Sequence, residues 1–209
     1  MKSKYEFTGK TKVVYGVTLR QIRALITIPG VVSSGDVGGW IEREYNLSPD
    51  SDVYNNAWVH GNARVYGNAQ VYGNAQVSGN AQVSGDARVY NNAWVSGDAQ
   101  VYNNAWVYGN AQVHGNARVS GDAQVSGNAR VSGMAAICSF SGFGSAYRQT
   151  TAFIDSKIGV RVVCGCFTGS LDEFRKQVIE THGEDRKNGK LYLGMADMIE
   201  ARLSGGDTT

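Results

Sequence analysis

Proline is almost missing from this 209-residue chain, cysteine is scarce, and neither sign of charge is in excess. With only Pro29 and Pro49 present, a proline-rich linker or a polyproline rod is excluded. Three cysteines, Cys138, Cys164 and Cys166, are an odd number, which suits a reducing cytoplasm better than a disulfide framework. Twenty basic residues against eighteen acidic ones leave a net charge of +2. That balance argues against a polyanion-binding stripe, and so against non-specific nucleic-acid binding. No apolar run approaches the ~20 residues that span a bilayer. Met1-Lys2-Ser3-Lys4 leads into polar sequence instead of a secretory core, so we expect a cytoplasmic protein without a membrane partner.

Glycine is abundant, with 27 residues, and its placement is ordered. From Val53 to Val131 a six-residue unit, V-x-[GN]-[ND]-A-x, repeats without interruption. Valine anchors each unit and alanine follows four places later. An aliphatic anchor with a small residue two places before the next anchor predicts a left-handed parallel β-helix, three hexads closing each triangular coil. Ala and Val then face inward, the x residues face out, and the Gly/Asn pair forms each corner. The period continues weakly through Ile41 and Leu47 and reaches Ile137 and Phe143, which places the rod at 41–143. At ~4.8 Å per coil its length is about 25 Å.

The ends read differently. Residues 1–40 form a small β cap, with strands on either side of a turn at Gly9, covering an open coil that would otherwise pair with any passing strand. Residues 144–209 form an α+β segment. Thr151–Ile154 and Val160–Val163 alternate as a hairpin around Asp155-Ser156-Lys157. Ser170-Leu171-Asp172-Glu173 is a capping box that opens a helix closed by His182-Gly183. Leu191, Met195, Met198, Ile199 and Leu203 mark a second helix and are read as its core stripe. The fold class is therefore mainly β, a β-helix with a β cap before it and a hairpin plus two α-helices after it.

Three segments resemble those that flank VSGNARV-type repeats in phage- and prophage-encoded hexapeptide-repeat proteins. They are KYEFTGKTKVVYGVTLRQIRAL, GDVGGWIEREYNLS and VCGCFTGSLDEFRKQVIETHG. Such proteins are called acyltransferase-like on their repeats. The resemblance implies a bacterial or phage cytoplasmic setting and carries no set of catalytic residues.

An acyltransferase of this kind needs a histidine base in a cleft built by loops. Here no loop interrupts the hexads, and His60 and His114 lie three coils apart on one face, roughly 14 Å at strand spacing. We assign neither a catalytic role. Cys164, Cys166 and His182 supply three soft groups but no fourth ligand, so the thiols read as buried structural residues and no metal or cofactor is expected.

Outward residues eighteen apart stack in columns. One face carries Tyr54, Tyr72, Tyr90 and Tyr108 beside Gln70, Arg88, Trp106 and Gln124. A second carries Trp58, Trp94, His60 and His114, and a third, the most polar, Arg64, Tyr66, Tyr102 and Arg118. The first has the composition of an interface, so Tyr54, Tyr72, Tyr90, Tyr108, Arg88 and Trp106 are the candidate binding residues. Stacking between coils accounts for the same ladder structurally. Arg148, Thr150 and Thr151, in a Gly/Ser-rich connector, are candidates for an anion site.

The expected function is a non-catalytic phage- or prophage-type binding protein that blocks a host protein or sequesters a host nucleotide signal. Its expected partners are a second copy of itself, a host protein or a small nucleotide. The alternatives are an acyltransferase using coenzyme A or a nucleotide-sugar at an intersubunit pocket, and a structural component of a phage particle.

Overall fold

The computed structural model describes residues 4–27, 29, 32–143 and 148–203, without the side chains of Ala135 and Arg148. The chain is mostly β. About five turns of a parallel β-solenoid are followed by an antiparallel sheet and two helices.

Local chemistry explains the coiling. Gly79 holds φ at +68°, and a Cβ there would meet the Gly97 amide nitrogen at 2.9 Å, so backbone conformation and the approach of the next coil both require glycine. Where a hexad carries asparagine instead, Asn55, Asn91 and Asn103 keep φ of 57°, 60° and 60°. The next corner residue ties coils together: Asn74 donates to Asn92 at 3.2 Å, Asn80 to Asp98 at 2.9 Å and Asn104 to Asp122 at 2.9 Å. Between corners lie two-residue strands, from β4 (Asp52–Val53) to β17 (Arg130–Val131). Arg88 aligns with Gln70 and Trp106, and Val89 with Val71 and Val107, so each face is a parallel ladder of eighteen-residue steps. Val and Ala fill the prism, and Val59, Ala81, Val95 and Val131 are fully buried. Only small side chains from three walls fit so narrow an interior.

The inter-coil hydrogen bonds that involve a residue outside the two-residue strands all point one way. Gln70 N–H donates to the Ala87 carbonyl, Arg88 to Ala105 and Trp106 to Ala123, each at 2.9 Å. The rod therefore begins with an excess of carbonyls and ends with an excess of N–H groups to satisfy, and a buried backbone group without a partner is costly. The two caps answer chiefly with donors at the start and acceptors at the end, alongside single contacts of the other sense from Gly61 N–H to Glu42 and from Gln149 Nε2 to the Ser120 carbonyl. At the start, the buried Asn46 side chain donates to the carbonyls of Gly61 and Ala63 at 3.1 and 2.8 Å, and the Ser51 hydroxyl to Val65 at 2.8 Å. At the end, Gln149 accepts from Asp122 N–H at 2.9 Å, Thr151 from Gln124 at 3.4 Å and the Asp155 carboxylate from Asn128 at 3.3 Å.

The N-terminal cap contains β1 (Tyr5–Val14), β2 (Val17–Ala24) and β3 (Val37–Ile41). The first two pair antiparallel, and β3 passes the ladder on by pairing parallel with Trp58 and Val59. The turn is Tyr15-Gly16, at φ of 51° and 77°, and not Gly9. Gly9, at φ 85°, lies within β1, where the register shifts between Phe7 and Thr11. A bulge and a turn use the same residue type, which is why the sequence suggested the wrong one.

Ile137 keeps the hexad period, yet the chain leaves the rod there. Strands β18 (Ile137–Phe143), β19 (Arg148–Asp155), β20 (Gly159–Cys164) and β21 (Phe167–Ser170) form one antiparallel sheet in that order, so Phe143 is no part of a coil. Phe153 and Val163 pack against the rod core, with Phe153 fully buried at the prism mouth. Ala152 and Val162 face α1 (Leu171–His182) and α2 (Lys187–Leu203). Helix α1 starts at the Ser170–Glu173 capping box and ends at Gly183. In α2 Met195 and Ile199 are core, whereas Leu191 and Met198 are 41% and 50% exposed and fall outside the stripe expected of them.

Candidate binding faces

On the first face the tyrosines form a regular stack. Ring centroids of Tyr54, Tyr72, Tyr90 and Tyr108 are 4.9, 4.9 and 5.1 Å apart, with planes within 5° of parallel. Strand register dictates this, because in-register neighbours on parallel strands superpose like residues. Trp106 meets Tyr90 edge-on at 6.4 Å, and the Arg88 guanidinium lies 5.3 Å from the Trp106 ring. Burial among these rings, with Tyr72 adding to it, pushes the Tyr54 and Tyr90 hydroxyls up to about 12. They remain neutral hydrogen-bonding groups across the physiological range. The six candidate residues are thus brought together on one flat side, with Arg88 exposed.

The second face is partly covered. The β1–β2 hairpin lays Lys12 against it, 4.2 Å from the Trp40 ring and 4.9 Å from Trp58, while Tyr15 stacks on Trp58 at 6.4 Å. His60 is half-buried here, and burial lowers its pKa while the nearby Glu42 pulls it upward. Glu42 was missed in the sequence although it precedes His60 by eighteen residues and so occupies the same column one coil earlier. Its carboxylate accepts from Gly61 N–H at 2.7 Å and pairs with Arg43 at 3.1 Å. His114 sits three coils farther along the column.

The anion-site candidates do not converge on a surface. Thr150 and Thr151 are both buried. The Thr150 hydroxyl donates to Cys164 Sγ at 3.0 Å and Thr151 caps the rod at Gln124. The side chain of Arg148 and all of residues 144–147 lie outside the described residues. Cys164, Cys166 and His182 instead line one open groove of about 680 Å³ with Phe167, Phe174 and Tyr192, and His182 stacks on Tyr192 at 5.3 Å. Cys166 is exposed and Cys164 partly so, which corrects the reading of these two thiols as buried. Among the described residues no three His, Cys, Asp or Glu side chains gather closely enough to hold a metal. Among them, too, no helix is long and apolar enough to cross a membrane.

Fold and surface together define a β-solenoid repeat protein capped at both ends. Residues 63–79, 69–83, 81–97, 99–115, 111–125 and 123–138 match the family model described as the YdcK beta solenoid repeat. The matched stretches cover most of the coils from Ala63 onward and reach into the start of β18. No curated protein matches the chain.

Proposed function

We propose that this chain is a non-catalytic binding protein of phage or prophage type, acting stoichiometrically through its tyrosine face on a host protein or on a second copy of itself. The observation that carries this reading is the four-ring stack with Arg88 and Trp106 beside it. Rings already held by their neighbours lose little side-chain entropy when a partner covers them, and Tyr, Trp and Arg give large contact area per residue. Stacking within the rod alone needs no exposed Arg88 at the centre of the ladder.

Replacing Tyr90 and Trp106 together by Ser tests the proposal. Circular dichroism should be unchanged, while light scattering should report a lower mass or a named partner should no longer be retained. Wild-type mass and partners in the double variant would reduce the ladder to inter-coil stacking. The position of Glu42 beside His60 supports the acyltransferase alternative, which requires acetyl-coenzyme A turnover that disappears in His60→Ala.

A further inference from the structure

The third face holds the same kind of ladder with one rung left out. Its column reads Tyr66, Ser84, Tyr102, Ser120, and Ser84 is the one serine there with a tyrosine on either side. Strand register places the three on successive coils, since Gln82 pairs with Arg64 above and Gln100 below. Where the first face has a ring, this face has a gap of about 270 Å³, walled by Tyr66 and Tyr102 and floored by Ser84. That volume lies below the roughly 300–1,000 Å³ of sites that enclose drug-sized ligands, so it admits about one ring system.

The filled ladder shows what fits a rung. Tyr72 lies between Tyr54 and Tyr90 at 4.9 Å from each, nearly parallel to both, so a flat aromatic ring at the Ser84 position makes two stacking contacts at native spacing. The rim selects among aromatic rings. Gln82, Gln100 and Asn103 line the gap beside Ser84, and no charged residue does. The Tyr66 hydroxyl donates to Gln82 Oε1 at 3.0 Å, which leaves the Gln82 amide N–H groups to donate to a ligand. Amides facing the edge of a stacked ring suit a base with polar edges better than a phenyl side chain. Arg64, on the preceding coil, and Arg118, two coils farther on, are both exposed and enter no ion pair among the described residues. The Arg64 guanidinium lies 5.9 Å from the Tyr66 ring that walls the gap, and it is the nearer of the two to a phosphate at the mouth.

A second copy of the chain is a poorer occupant. Placing a partner's tyrosines into the Ser84 and Ser120 gaps about a two-fold axis brings Arg64 of one copy onto Arg118 of the other, and like charges in contact repel.

The geometry points to a mononucleotide site on the third face, with the base in the missing rung between Tyr66 and Tyr102 and the phosphate toward Arg64. This site is separate from the tyrosine face and does not depend on its role. Isothermal titration of the full chain with AMP, GMP, CMP and UMP at low salt, carried to millimolar concentration, tests it alongside adenosine and methyl glucoside. At least one nucleotide should bind saturably, its nucleoside several-fold more weakly. Ser84→Tyr, which completes the ladder with a residue the other columns already accommodate, should keep the fold and weaken binding at least tenfold, given base stacking of this kind. Arg64→Gln should remove the preference for nucleotide over nucleoside. The inference is overturned if no nucleotide binds, if Ser84→Tyr binds as tightly as the wild type, or if methyl glucoside binds instead. A lower molecular mass for Ser84→Tyr would also overturn it, by assigning the gap to a second copy. None of these outcomes alters the expectation for Tyr90 and Trp106.

Discussion

Asp155 is the residue on which the junction between rod and C-terminal cap most depends, and removing its carboxylate should be costly in a pH-dependent way. It is 1% exposed and makes three close contacts: Lys157 N–H at 2.8 Å, Asn128 N–H at 3.3 Å and the Arg161 guanidinium at 2.8 Å. Burial alone would raise its pKa, but the Lys157 N–H, the Arg161 guanidinium and the Asn128 N–H together outweigh that and hold it below the usual carboxylate range. Asp155→Ala strands two backbone donors and a largely buried cation. Breaking a buried pair from one side costs about 3–5 kcal/mol, and the residual solvent contact of Arg161 sets our figure at the low end, about 3 kcal/mol. Asp155→Asn keeps one acceptor oxygen and should lose about 1–2 kcal/mol.

Because the folded pKa lies below the unfolded value of ~3.9, the carboxylate contribution is present above that value and is lost as pH falls through the folded pKa. Urea unfolding at pH 7 should therefore separate wild type from Asp155→Asn clearly, and the gap should close below about pH 4. Amide exchange should show the loss first at Gln124 and Asn128. A gap that persists unchanged at pH 2.5, or an Asp155→Ala variant as stable as the wild type, would refute the account.

Three further outcomes are expected. Val95→Asp places an unpaired charge in a prism without room for water and should yield insoluble or unfolded protein; a soluble protein with the native circular dichroism spectrum contradicts the packing described. Asn46→Ala leaves the Ala63 carbonyl without its side-chain donor while Gly61 keeps the Tyr45 hydroxyl, and chemical denaturation should show a loss of about 1–3 kcal/mol. His60→Ala and His114→Ala should each retain the protein's biological effect in a host-cell assay, and abolition by either one would favour catalysis.

The rod was legible in the sequence because one physical constraint, a narrow interior closed every six residues, acts on every unit from Val53 to Val131. Its columns were legible too, since eighteen-residue spacing alone places Tyr90 between Tyr72 and Tyr108. The same arithmetic would have revealed Glu42 above His60. The ends were harder to read. Ile137 satisfies the hexad period while belonging to an antiparallel strand, and what separates the two is its pairing with Phe153, a long-range fact. Asp155 looked like an ordinary turn residue next to Ser156, because its role depends on the unpaired Asn128 N–H at the end of the rod. Thr151 looked like a surface hydroxyl for the same reason. Leu191 and Met198 fit a helical stripe but lie on its margin, where periodicity alone does not say how wide the covering sheet will be.

The pairing of each strand with one eighteen residues away makes chain length an angular setting. Removing eighteen residues from the middle of the rod shortens it by ~4.8 Å and leaves the two ends in the same relative orientation. Removing six turns the C-terminal sheet and helices by a third of a revolution about the axis, so that the groove beside Cys166 swings from one face of the prism to the next. The repeat number therefore determines which of the three surfaces a partner meets together with that groove. Within such a solenoid, length changes by whole turns preserve a shared docking geometry, and changes by single hexads create a new one.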